Sequence, residues 1–345
     1  MDHGRKFLGF LPSLGPRSPF VATSHMFWRV VTRGASRTRP LRRRWLSTPS
    51  NPLLAELEDD YLYHLGLGTA THDLAELFSD VKYFCCGGSA NRMHAFAEKV
   101  ADELGGTSAA TVPFGLRPAP IGKTDRFSMF KVGPVLMSSH GMGQPSFSIL
   151  LHEVTKMLSY AGAKDVTYFR LGTSGGLGVP PGTVVVTTKG VDGTLDPTYR
   201  LPICGKIVER PSEVQASLVD EIIASVEQGG PALRAINVTP GRTMAADCFY
   251  EGQSRLDGAI CEHTEADKMA FLQGAYESGV RNIEMEALQF CAFTQHLSIP
   301  AAVCCVTLLN RLDGDQVLAA PEQMEAWDAF PGDVVLQFIK SREGL

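Results

Sequence analysis

No run of 18 apolar residues occurs in this chain, which excludes a conventional membrane-spanning helix. The most hydrophobic stretch, Leu297 to Leu309, is too short and follows the polar pair Gln295-His296. The eight cysteines, at positions 85, 86, 204, 248, 261, 291, 304 and 305, form no CxxC and no Cys/His spacing suited to zinc. Two adjacent pairs, Cys85-Cys86 and Cys304-Cys305, sit inside apolar runs where cysteine acts as a small buried hydrophobe. A reducing compartment and no structural metal are therefore expected. Both the GxGxxG dinucleotide fingerprint and a Walker lysine loop are missing. With 345 residues, 44% hydrophobic and 20% charged, the composition also excludes disordered, collagen-like and coiled-coil classes.

Acids are nearly absent from the first 50 positions, where ten Lys and Arg face Asp2 alone, a net of +9. The other 295 residues carry 22 bases and 36 acids, a net of −14. Such an acidic body offers no broad footprint for nucleic acid or an anionic membrane, so an anion must be caught by a few placed residues. The leader, residues 1–48, ends Arg42-Arg43-Arg44-Trp45-Leu46-Ser47-Thr48. Its composition is that of a mitochondrial transit peptide, with an unprocessed disordered tail as the alternative. Either places the protein in the matrix or the cytoplasm, not outside the cell. Residues 49–345 are expected to form one domain.

Within that domain, apolar runs of strand length alternate with helical periodicity. Val81 to Cys86 reads as a strand covered on both faces, broken by Gly87-Gly88 and followed by a helix that ends at Gly105-Gly106. Ser128 to Lys131 and Pro134 to His140 predict a hairpin, and Pro145 to Tyr160 a helix. Strands are expected at Val166–Leu171, Thr183–Thr187, Val280–Met285 and Ala301–Leu309. Helices are expected at Ser212–Gln228, Thr264–Tyr276 and Glu286–Leu297, the second opening on the capping pattern Thr264-Glu265-Ala266-Asp267. The fold class is α/β: one mixed central sheet flanked by helices, preceded by a disordered basic leader.

Polar residues cluster where apolar strands end, which is where an α/β sheet places its ligands. Arg92 follows Gly87-Gly88-Ser89 in the first turn of a helix, against the helix dipole, and makes sense if it shares an anion with that terminus; a solvated arginine is the alternative. Arg126 closes Gly122-Lys123-Thr124-Asp125-Arg126. Arg170 ends an apolar strand before Gly172-Thr173-Ser174-Gly175-Gly176, read as a turn of bare amides, and needs a carboxylate or a phosphate. Three guanidiniums without a Walker motif point to inorganic phosphate. In Phe249-Tyr250-Glu251-Gly252-Gln253-Ser254-Arg255, a glutamine amide matches the N3–H and O2 edge of a pyrimidine, an arginine can reach O4, and Phe249 can stack on the ring; Gln-x-Arg is also common on polar loops. Glu284 and Glu286 alternate to the same side of a strand end, and one carboxylate can accept both hydroxyls of a cis diol, or Glu286 can simply cap a helix.

These residues resemble the purine nucleoside and uridine phosphorylases, and within them the animal-type uridine phosphorylases. The resemblance runs from about Leu62 to Ile339 through Asp80-Val81-Lys82, Ser139-His140-Gly141-Met142-Gly143, Leu171 to Gly176, Phe249 to Gly258, Val280 to Glu286 and Val306 to Leu312. It implies a pentosyltransferase that converts uridine and phosphate to uracil and α-ribose 1-phosphate, with no cofactor beyond phosphate as co-substrate. It further implies a phosphate site of Gly88, Arg92, Arg170 and Thr173, with Arg126 from a neighbouring subunit. The uracil site would be Phe249, Gln253, Arg255 and Arg311. Met285 and Glu286 would hold the ribose, with His64 lent by the partner to the 5′-hydroxyl. A homodimer with shared sites follows, a hexamer being the alternative.

Three departures stand against the family pattern. Ala287-Leu288-Gln289 follows Glu286 where small residues are usual, Gln144 replaces an apolar residue, and Phe127 stands where bacterial relatives place a glutamate for potassium, so no metal is expected. Asn310-Arg311 occupies the region where a purine phosphorylase or nucleosidase would carry a proton-donating aspartate. A nucleoside-binding paralogue without turnover is the non-enzyme alternative.

Overall fold

The computed structural model describes residues 51–104, 120–122 and 126–345. The basic leader, Gly105-Gly106 and Lys123-Thr124-Asp125 lie outside the described residues. A short ribbon, β1 (Tyr61–Leu62) and β2 (Leu67–Gly68), leads into α1 (Leu74–Phe78), then β3 (Tyr83–Gly87), α2 (Ala90–Leu104), β4 (Met129–Val132) and β5 (Val135–Ser139). Next come α3 (Gln144–Ala161), β6 (Thr167–Gly176) and β7 (Val184–Val191), followed by the hairpin β8 (Thr198–Ile203) and β9 (Lys206–Pro211). Helices α4 (Ala216–Gln228) and α5 (Pro231–Arg234) precede β10 (Val238–Ala245), α6 (Glu265–Glu277) and β11 (Val280–Glu284). The chain closes with α7 (Ala287–His296), β12 (Ala301–Asn310) and α8 (Pro321–Glu343).

Eight strands form one mixed sheet in the order β11-β10-β7-β12-β6-β3-β5-β4, and β11 pairs again with β6. That extra antiparallel pairing, Asn282 with Gly176 and Ile283 with Gly175, curls one end of the sheet into a closed ring of strands. Alternation explains why the central strands are continuously apolar. Phe84 and Cys86 of β3, with Val303 and Cys305 of β12, face one core alongside Phe147 of α3 and Phe290 of α7. Tyr83 and Cys85, with Ala302, Cys304 and Val306, face the other core against Phe96 of α2 and Phe338 of α8. All eight cysteines are free, and both adjacent pairs are buried. Among the described residues, no helix is long and apolar enough to cross a membrane.

The mixed α/β architecture and most elements agree with the sequence reading, including the α6 capping box, in which the Asp267 amide donates to the Thr264 hydroxyl and the Thr264 amide to the Asp267 carboxylate. Two boundaries need correction. Helix α4 begins at Ala216, not Ser212, because the Ser212 hydroxyl donates to the carbonyls of Gly190 at 2.6 Å and Pro197 at 2.8 Å, tying that residue to the preceding strands. The segment after Arg170 is no turn: β6 continues to Gly176, paired to β12 and β11. Its glycines provide room. A Cβ on Gly172 would lie 2.6 Å from Arg170 Nη1, and one on Gly175 would lie 3.0 Å from the Arg311 side chain.

Candidate active site

A cavity of about 440 Å³ opens at the ends of β3, β6 and β11. It is lined by Gly88, Arg92, Arg170, Thr173, Phe249, Gln253, Arg255, Met285, Glu286 and Arg311, all singled out from the sequence. His140, Met142, Glu284 and Leu309 line it as well. Arg126 and His64 do not: Arg126 is exposed, and His64 Nδ1 lies 2.6 Å from Glu153 beside a second cavity.

At one end the chain gathers positive charge. Gly88 leads into α2, and a Cβ there would meet the Gly141 carbonyl at 3.0 Å. Arg92 donates from Nη2 to Asp328 of α8 at 3.3 Å, while its Nε is buried without a partner. Arg170 is 3% exposed; its Nη1 donates to Cys305 Sγ at 2.9 Å, and its Nη2 pairs with Glu284 at 2.9 Å and, closely, with Glu286. Its Nε also has no partner. His140 is fully buried, stacks on Phe147 at 4.3 Å, and leaves both ring nitrogens unpartnered. Burial first, then Arg170 and Arg92, push its pKa down to about 3, so it is neutral at physiological pH.

Glu284 and Glu286 share Arg170 but do different work. Glu284 accepts from the amides of Glu286 at 2.9 Å and Ala287 at 2.8 Å, capping α7. Burial raises its pKa, Arg170 opposes that, and Glu286 adds to it. Glu286 was the residue whose sequence position suggested a helix cap, yet its side chain makes no capping bond. Instead it accepts from Gly143, the residue before α3, which holds φ at +83°, a conformation that favours glycine. Burial alone would raise Glu286, but Arg170 and the Gly143 amide outweigh it and hold the carboxylate charged.

The other end carries a polar frame. Gln253 is 5% exposed, and its backbone carbonyl accepts from Arg311 Nη2 at 2.8 Å. Arg311 Nη1 lies 3.4 Å from Gln253 Oε1. Arg255 forms a two-pronged pair with Asp257 at 2.9 and 2.6 Å, and its guanidinium carbon sits 4.9 Å from the centre of the Phe249 ring, which is half exposed.

The departures are placed too. Gln144 Nε2 donates to Asp247 at 2.6 Å and Gln289 faces Tyr199, both lining the second cavity. Leu288 packs so tightly on Gly190 that a Cβ there would lie 2.7 Å from the Leu288 Cα. Phe127 is 2% exposed and belongs to the core. Sequence reasoning gave no role to His140, although it directly follows β5 within Ser139-His140-Gly141, or to Asp328, whose signal is a contact 236 residues away.

Comparison with known proteins gives the family. The phosphorylase superfamily profile matches residues 82–340. Mouse uridine phosphorylase 1 is 43% identical over 295 residues, 86% of this chain and 92% of its own length. An inactive uridine phosphorylase B of Schistosoma mansoni is 39% identical over 86% of this chain and 96% of its own. A solved uridine phosphorylase structure of the oomycete Phytophthora capsici superposes with a TM-score of 0.80 at 48% identity, covering 87% of this chain and 99% of the other. Matches of that length carry the resemblance drawn from the motifs to its conclusion, and this chain belongs to the phosphorylase superfamily, among its uridine phosphorylases.

Proposed function

We propose that this chain catalyses the reversible phosphorolysis of uridine and deoxyuridine to uracil and the α-pentose 1-phosphate, with phosphate as co-substrate and no cofactor. The observation that carries this reading is one cavity with two unlike ends: the side chains of Arg92 and Arg170, each with a buried Nε that has no partner, line one side, and an amide held by arginine lines the other. Buried donors without acceptors are expensive, and a phosphate supplies several acceptor oxygens at once.

The chemistry needs no covalent enzyme intermediate. Phosphate attacks C1′ from the face opposite the base as the C1′–N1 bond breaks and its electron pair leaves with uracil. Arg92, Arg170, Gly88 and Thr173 position the nucleophile. Glu286 keeps spare lone pairs beyond its bonds to Arg170 and Gly143, and the ribose 2′- and 3′-hydroxyls donate to them. Gln253 and Arg255 bond more strongly as O2 and O4 gain charge, which stabilises the transition state over the ground state. A purine-cleaving role lacks support: Asn310 is engaged with Gly178 and Asp313, and Asp313 is exposed outside the cavity. The inactive relative means that family membership alone does not decide turnover, whereas the site residues favour it. The test is uracil release from uridine with and without phosphate. Release should fall to background without it; equal rates would show a hydrolase.

Arg126 and His64 act in this reading across a two-fold homodimer, because neither reaches its own chain's cavity; a hexamer would repeat that dimer. Mixed Arg126→Ala and Arg170→Ala subunits should then rebuild one intact site per heterodimer, giving about a quarter of wild-type activity after random exchange. Heterodimers with no recovery would assign both arginines to one chain's own site. The leader directs the enzyme to the mitochondrial matrix or is left as a tail in the cytoplasm.

A further inference from the structure

Behind the base end lies an ion pair, Lys268 with Asp315, that phosphorolysis, as described, does not use. Lys268, in the first turn of α6, is 5% exposed. Its Nζ pairs with Asp315 Oδ2 at 2.8 Å, and Asp315 Oδ1 accepts from Arg311 Nε, also at 2.8 Å. Arg311, 1% exposed, then reaches the Gln253 carbonyl and side-chain amide. A cation near a helix N-terminus opposes the dipole, and a buried network of this kind is seldom worth more to stability than an apolar plug of the same size. Stability alone therefore does not account for it.

Two consequences follow from the geometry. Arg311 has only donors to offer, so the Gln253 atom facing it is Oε1, with a lone pair to spare for N3–H, and Nε2 is left for O2. The charges also fail to cancel. Lys268, Arg311 and Arg255 face the two carboxylates Asp315 and Asp257, leaving one positive charge in excess beside the leaving group. We infer that Lys268, acting through Asp315 and Arg311, is a positioning residue that fixes the Gln253 amide for uracil and supplies this excess charge behind the departing base. The inference rests on the proposed phosphorolysis of uridine.

A leaving-group comparison separates this role from a merely structural one. Lys268→Met keeps length and apolar bulk but removes the charge. At saturating phosphate, its kcat/KM for uridine should fall about 10- to 50-fold, less than for loss of a direct donor. For 5-fluorouridine the fall should be about threefold or less, because fluorine makes the departing anion less basic and less dependent on outside charge. The KM for phosphate should not move, and Lys268→Arg should recover most of the loss. Uracil binding, read by calorimetry, should weaken at least about fivefold in Lys268→Met. Equal falls for both nucleosides, or unchanged turnover and uracil affinity, would overturn the inference. A wild-type protein that binds uracil without cleaving uridine would sink the proposed reaction while the calorimetric comparison still decides the role of Lys268. Should Lys268→Met not fold, Lys268→Gln carries the same comparison.

Discussion

Cytidine should be cleaved roughly three to four orders of magnitude more slowly than uridine, as measured by kcat/KM at saturating phosphate. The expectation comes from the frame around Gln253. Arg311 faces Gln253 Oε1, so this oxygen is the one that meets position 3 of the base. Uracil presents N3–H there, a donor; cytosine presents a bare nitrogen, and two acceptors oppose each other. At position 4 cytosine carries an amino group where uracil has a carbonyl, so Arg255 meets a second donor. Each mispaired buried group costs about 1–3 kcal/mol, and two in the upper part of that range, about 4–6 kcal/mol together, give the predicted ratio. Gln253→Leu should remove the discrimination by slowing uridine toward cytidine, and inosine should fail in the wild type for want of space and of an acid near N7. Cytidine turnover within tenfold of uridine, or full uridine activity in Gln253→Leu, would show that another part of the cavity reads the base.

The same frame shows what was legible in the sequence. Strands β3, β6 and β12 announced themselves because both faces are buried, and polar residues at their ends marked the cavity. Helix α8 gave no such signal. Pro331 and Gly332 interrupt its pattern, and Gly332 is there because a Cβ would lie 2.7 Å from the Phe96 ring. The β8–β9 hairpin is largely exposed, so no apolar alternation marked it. The glycines of Gly172 to Gly176 misled: they suggested a turn of bare amides, but they clear space inside a strand for the Arg170 and Arg311 side chains. Space taken by a distant side chain leaves no local trace. For the same reason the partners of the site arginines were hidden. Asp328 reaches Arg92, and Lys268 reaches Asp315, only once remote segments have packed.

Arg170→Ala should lower kcat/KM for phosphate about 30- to 1000-fold, a loss of ~2–4 kcal/mol of transition-state stabilisation. Two contributions add. The nucleophile loses a charge-assisted donor, and Glu286, the ribose acceptor, loses the cation that holds it charged. The second effect reaches stability as well. In the wild type Glu286 is held below its ordinary range, which contributes stability above that range and loses it as pH falls. Without Arg170, Glu284 and Glu286 face each other buried and unpaired, so both rise. A raised carboxylate contributes stability below its unfolded pKa and loses it as pH rises. The gap between wild type and Arg170→Ala should therefore widen from acid toward neutral pH, reaching about 3–5 kcal/mol, the usual penalty for breaking a buried pair. Denaturant unfolding across that range measures it, with kinetics taken where the variant is folded. Added guanidinium should restore part of the activity. A variant within threefold of wild type, with an unchanged KM for phosphate, would mean that Arg170 only neutralises the two glutamates and that phosphate is held elsewhere.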